Sequence, residues 1–337
     1  MPTIDLSTAM SAARFVMPGK VSDPVAAADL RVRVDAEWDE LDRAAREWSR
    51  LGEGLPPTRG RVVGRLGWIR ANLQTVTPVV ASLGARMSRD TTAATKVVST
   101  QLGTLFGLLS TKVLGQFVLP LAGEGSGQLL IVGPNLLDLA TEFGDQADDL
   151  RRSVVLHEIV HRLQFDGTDW LGGHLRGLLD EYVAEAELDP DRILSVAAEL
   201  PEAVREARRT GSVQPVLTAV MTPPQQELLD RAQGLMSLLE GHGNAAMSLA
   251  AESVVADPDG VREALESRRG DLTSKILTAV AGMDMKRRQY AQGEEFVRGV
   301  IDLAGIDGLN RAFADAEHLP RTDELDTPDA WLARTAA

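Results

Sequence analysis

Residues 154–165, VVLHEIVHRLQF, carry Val154, Val155, Leu156, Ile159, Val160 and Leu163 around nearly the whole circumference of a helix, yet they also hold His157, Glu158 and His161. A helix without a polar stripe is stable only inside a core. Burying two imidazoles and a carboxylate without partners costs several kcal/mol. The rest of the chain must therefore wrap this segment and also satisfy its polar groups.

Helical geometry narrows how that is done. At about 100° per residue, His157 and His161 lie one turn apart on one face and can both direct a ring nitrogen at one ion. Glu158 sits beside that face, displaced from the ligand positions. Two imidazoles and an adjacent carboxylate at this spacing, HExxH, are the pattern of a zinc hydrolase helix, in which the Glu is the general base. With five His in 337 residues, the number of such matches expected by chance is on the order of 0.005. The competing reading is a pair of core histidines bonded to backbone or carboxylates.

Composition removes other classes. The chain has no cysteine, so disulfides, thiolate metal sites and cysteine nucleophiles are excluded, and any metal must be held by His and carboxylate. With 35 basic and 49 acidic side chains the formal charge is −14, and no basic stripe appears, which disfavours nucleic acid as a partner. No run approaches the length of a membrane helix, and MPTIDLSTAM lacks the basic-then-apolar pattern of a signal peptide. The expectation is a cytoplasmic protein that meets no membrane and acts on a peptide or a small amide.

The pattern along the chain predicts a mainly α protein with a small β-hairpin, an α+β arrangement with a helical second half. Helical spacing covers 24–50, 68–79, 91–112, 145–165, 171–187, 191–210, 225–255 and much of 261–313. Val113–Leu119 and Gln128–Val132 read as the two hairpin strands. The intervening GEGSG is no phosphate loop, since such a loop must open a helix rather than a second strand. Gly103 and Gly107, four apart on one helix face, predict close packing against another backbone. Two regions are expected, 1–166 with the hairpin and the HEIVH helix, and 167–337 with the third metal ligand.

A catalytic zinc site has three protein ligands and leaves a position for water. The segment LMSLLEGHGNAAM, residues 235–247, offers Glu240 and His242. Gly241 and Gly243 each cost a helix about 1 kcal/mol relative to Ala, so something must compensate, and a close backbone approach would do so. On a continuous helix Glu240 and His242 point about 200° apart and cannot share one ion. One of them is the ligand.

HEIVHRLQF, LLEGHG, MKRRQYAQGEEFVRGV and LPRTDELDTPDAWLAR, together with WIRANL at 68–73 and VGPN at 132–135, resemble the zincin-like metallopeptidases of type 2 over most of the chain. This is a bacterial family whose substrates are largely unknown, and some members carry labels linking them to deazaflavin-coenzyme biosynthesis. The resemblance implies a zincin-like metallopeptidase fold, Zn2+ as cofactor, His157 and His161 as ligands, and Glu158 as base. EGHG also resembles the EGxA segment of Glu-ligand zincins, which favours Glu240 as the third ligand. The long stretch between His161 and Glu240 departs from compact members and implies a helical insertion. Tyr290, in RQYAQG, and His242 are oxyanion candidates. His174 and His318 read as capping or surface histidines. The expected function is zinc-dependent cleavage of an amide, with a catalytically silent binding scaffold and a non-peptide amide hydrolase of cofactor metabolism as alternatives.

Overall fold

The computed structural model of the chain describes residues 4–17, 23–86, 92–120, 127–185, 202, 205–206, 209, 223–264 and 285–336. Its elements are α1 (Leu6–Val16), α2 (Pro24–Ser49), β1 (Arg61–Val63), α3 (Arg65–Arg86), α4 (Thr92–Leu109), β2 (Gly115–Val118), β3 (Gln128–Val132), α5 (Gly133–Phe143), α6 (Ala147–Asp166), α7 (Leu171–Ala184), α8 (Pro223–Leu249), α9 (Met285–Leu309) and α10 (Pro328–Arg334), with short 3-10 turns between some of them. The chain is mostly helical with one small sheet, as the sequence pattern predicts. Most of 191–210, and the GEGSG segment up to residue 126, lie outside the described residues. Among the described residues no helix is long and apolar enough to cross a membrane.

Two compact units divide the chain, Met1–Gly167 with Ala246–Leu265, and Thr168–Ala245 with Glu266–Ala337. In the first, β2 and β3 pair antiparallel as the expected hairpin, but β3 is the central strand of three. Strand β1 pairs with it in parallel, Arg61 opposite Leu130 and Val63 opposite Val132. Three residues, RVV, are too short to show a period of two, so this strand had no local signal.

Alternation along the strands divides their side chains between two helical layers. Leu129, Ile131 and Phe117 pack into one cluster with Val34, Trp38 and Leu41 of α2 and with Leu150, Leu156, Ile159 and Leu163 of α6. Leu130, Val132 and Val118 pack into the other with Ala9, Ala13, Trp68, Ile69 and Leu73. A sheet covered on both faces needs apolar residues at successive positions, which is what Leu129, Leu130, Ile131 and Val132 supply after the exposed Gln128. Polar staples tie the layers to the sheet. Asn72 and Gln116 exchange two amide hydrogen bonds of 3.0 and 3.1 Å. Asn135 accepts from Arg65 and donates to the carbonyls of Ser110 and Val113. WIRANL and VGPN thus serve the scaffold. In the second layer α4 meets α1 closely, because a methyl at Gly103 would overlap the Ala9 carbonyl and one at Gly107 would reach Ala13.

Helix crossing by glycine recurs in the second unit, this time between α8 and α9. A methyl at Gly241 would overlap the Gly293 carbonyl, and one at Gly293 would overlap the Ser237 carbonyl. The end of the chain forms a clasp. Trp331 is fully buried edge-on to Phe296, and its indole N–H donates to the His318 carbonyl. Arg334 donates to the carbonyls of Glu317 and Leu319 and pairs with Glu324. The segment LPRTDELDTPDAWLAR is accounted for by this closure.

Candidate metal centre

Helix α6 is buried on almost every side, as its sequence requires: Val154, Val155, Leu156, Ile159, Val160 and Leu163 are all inside. Asp148 and Asp149 in its first turn complement the helix dipole. Side-chain hydrogen bonds fix it further. Arg162 donates from Nη1 to Thr58 Oγ1 at 2.6 Å and to the Pro56 carbonyl at 3.0 Å, while its Nε donates to Asp166 at 3.2 Å. Thr58 in turn donates to Asp42, which also accepts from Arg46. Burial pushes the Asp166 carboxyl upward, against the Arg162 charge that lowers it. At the other end of the helix Arg151 pairs with Glu37 of α2 at 2.6 Å.

On this frame the two HEIVH imidazoles converge. Their Nε2 atoms lie 2.9 Å apart and the rings meet nearly at right angles, at 87°. His161 Nδ1 is 2.8 Å from Gln164 Oε1. A proton on Nδ1 donated to this carbonyl oxygen would leave the Nε2 lone pair facing inward, the arrangement a ligating histidine needs. Glu158 is buried beside them, and the atoms closest to where a Gly115 side chain would be are its Cγ and Oε1.

His157, His161 and Glu240 are the one group of three or more potential metal ligands among the described residues. Two neutral imidazoles and one carboxylate are a donor set that suits zinc. Nitrogens bound tetrahedrally at about 2.05 Å are about 3.3 Å apart, and the observed approach is near that separation. The residues present therefore fit a metal ion.

Of the other residues singled out in the sequence, His242 does not join this group. It is fully buried, with its ring 5.2 Å from that of Phe313. Helix α8 runs without a break through both residues, so the angular divergence of Glu240 and His242 holds. Tyr290 is on α9, but its side chain lies outside the described residues. His174 is half-buried edge-on to Trp170, and burial, with Arg231 nearby, lowers its pKa. His318 sits in a 3-10 turn capped by Asp315.

Gln164, Arg162 and Gly115 were not anticipated. Gln164 was accessible from spacing, being three residues from His161 on the same face. Gly115 and the Thr58–Asp42 pair were not, since only the tertiary fold brings them to α6.

Among curated proteins, none matches this sequence. A crystal structure from Chloroflexus aurantiacus, reported as "a putative hydrolase with a novel fold", matches with a TM-score of 0.71 over 99% of this chain and 99% of its own at 24% identity, so the two share a fold. The family match runs over residues 4–332, nearly the whole sequence. The chain belongs to the zincin-like metallopeptidase family.

Proposed function

We propose that the protein is a zinc-dependent hydrolase that cleaves an amide, a peptide bond above all, with His157, His161 and Glu240 holding the metal and Glu158 acting as general base. The observation that carries this reading is the convergence of two imidazole Nε2 atoms, 2.9 Å apart, on a buried helix beside a buried carboxylate. A scaffold with no chemistry to perform gains nothing from Glu158 in that place, since a buried carboxylate is costly. When bound, zinc supplies a Lewis acid that polarises a carbonyl and makes water acidic enough to attack near neutral pH.

The chain's own residues supply the rest. Gln164 fixes the His161 ring so that Nε2 points inward. Glu158 takes the proton of the attacking water and delivers it to the leaving nitrogen. Burial of α6 keeps bulk water away and strengthens each of these interactions. His242 and Tyr290 stand as further contributors, the former through its imidazole and the latter through its phenol. The substrate is a peptide or small amide met in the cytoplasm, and neither nucleic acid nor membrane is a partner.

The test is digestion of a peptide library by zinc-loaded protein, read by mass spectrometry. Cleavage that Glu158→Gln lowers by about 10²- to 10⁴-fold while zinc stays bound is the expected result. Cleavage that survives Glu158→Gln would remove the base from this position. Specific peptide binding without turnover would favour the silent scaffold instead.

A further inference from the structure

We propose that Gly115 is a positioning residue for Glu158: strand β2 leaves one inward side-chain position empty, and the Glu158 carboxylate occupies that space. The proposal rests on the hydrolase reading only for its consequence in catalysis.

Side chains two apart on a strand face the same way. Phe117 faces α6, where it packs in the cluster with Leu156, Ile159 and Leu163 and stacks on Phe165 at 6.1 Å. Gln116 and Val118 face the opposite layer, Gln116 bonding Asn72 and Val118 packing near Trp68 and Leu73. Residue 115 is therefore turned toward α6 along with Phe117, at the level of Glu158. There the strand carries a glycine. A β-carbon at 115 would stand 2.5 Å from Glu158 Cγ, 2.9 Å from Oε1 and 3.0 Å from Cδ, and these are its three nearest neighbours. Carbon atoms in contact prefer about 3.5 to 4.0 Å, so even an alanine cannot share the site with Glu158 as placed.

The strand itself does not require glycine here. Gly115 is absent from the glycines with positive φ, and it pairs normally with Ile131. In a covered sheet a glycine weakens the strand and forgoes a packed side chain. What the missing side chain provides is room for one carboxylate. Glu158 is buried, so its rotamer has few alternatives, and filling position 115 forces it from the edge of the paired imidazoles.

The decisive experiment is a structure of zinc-soaked Gly115→Ala, alongside Glu158→Ala and the double variant. The account expects His157 and His161 unmoved, zinc still at about one per chain, and the Glu158 carboxyl carbon displaced by about 1 Å or more. On any amide the protein turns over, kcat should fall while KM holds. A carboxylate left in place, with the strand shifted instead, would overturn the proposal, as would equal loss in kcat and KM. If Gly115→Ala does not fold, the double variant decides: folding supports the proposal, and failure to fold overturns it. The structural readout needs no turnover, so a protein that hydrolyses nothing refutes the function and leaves this inference to be judged separately.

Discussion

Two helices carry the residues assigned to the metal, and they are built on opposite principles. Helix α6 is held by what its side chains fill: Leu156, Ile159 and Leu163 in the core, and Arg162 in a buried hydrogen-bonded chain with Thr58, Asp42 and Asp166. Around Glu240, α8 is held by what is missing, since Gly241 allows the Gly293 backbone of α9 into contact. The difference teaches that a ligand position can be fixed either by volume or by proximity of backbones. Removing volume should destabilise the first kind of helix, and adding volume should destabilise the second.

The largest effect falls on the volume-filled helix. Ile159→Ala removes a fully buried side chain and should cost about 2 to 5 kcal/mol, measured by denaturant unfolding. A loss below 1 kcal/mol would mean that α6 is not held by packing. Next in size is Gly241→Ala. Alanine is the better helix former by about 1 kcal/mol, so an uncrowded position would gain stability. The crossing at Gly293 predicts a loss of about 1 to 3 kcal/mol instead, by overpacking. A gain would break the comparison outright.

The smallest effect concerns the N-terminal turn of α6. The hydrogen bond from Arg151 holds the Asp148 carboxyl below its ordinary value, against a slight burial that raises it. A depressed folded pKa contributes stability above the unfolded value, about 3.9, and loses it as pH falls through the folded one. Asp148→Asn should therefore cost under about 1 kcal/mol at pH 7, the worth of an exposed ion pair. The difference from the parent should fade below about pH 4. A cost that persists at pH 3 would show that the charge is not its source.

Much of α6 was legible because its meaning is local. HEIVH sets two rings on one face by helix geometry alone, and the surrounding apolar residues announce burial without reference to any partner. The hairpin was legible for the same reason, as two alternating or apolar runs separated by glycines. What the sequence could not show is everything that depends on distant pairing. Strand β1 exists because Val62 finds Ile131, nearly seventy residues away, and the reason for glycine at 115 lies in Glu158. Gly241 and Gly243 were visible as an anomaly that needed compensation. Only the fold identifies Gly293 as the partner of the first.

The central claim is that α6 and Glu240 together form a metal site, and zinc content measures it directly. Purified protein, dialysed after zinc loading and analysed by mass spectrometry of the metal, should hold about one zinc per chain. His161→Ala and Glu240→Ala should lose it, while His242→Ala keeps it. Retention of zinc by Glu240→Ala with its loss from His242→Ala, or a fully stable parent that takes up no zinc, would contradict the account.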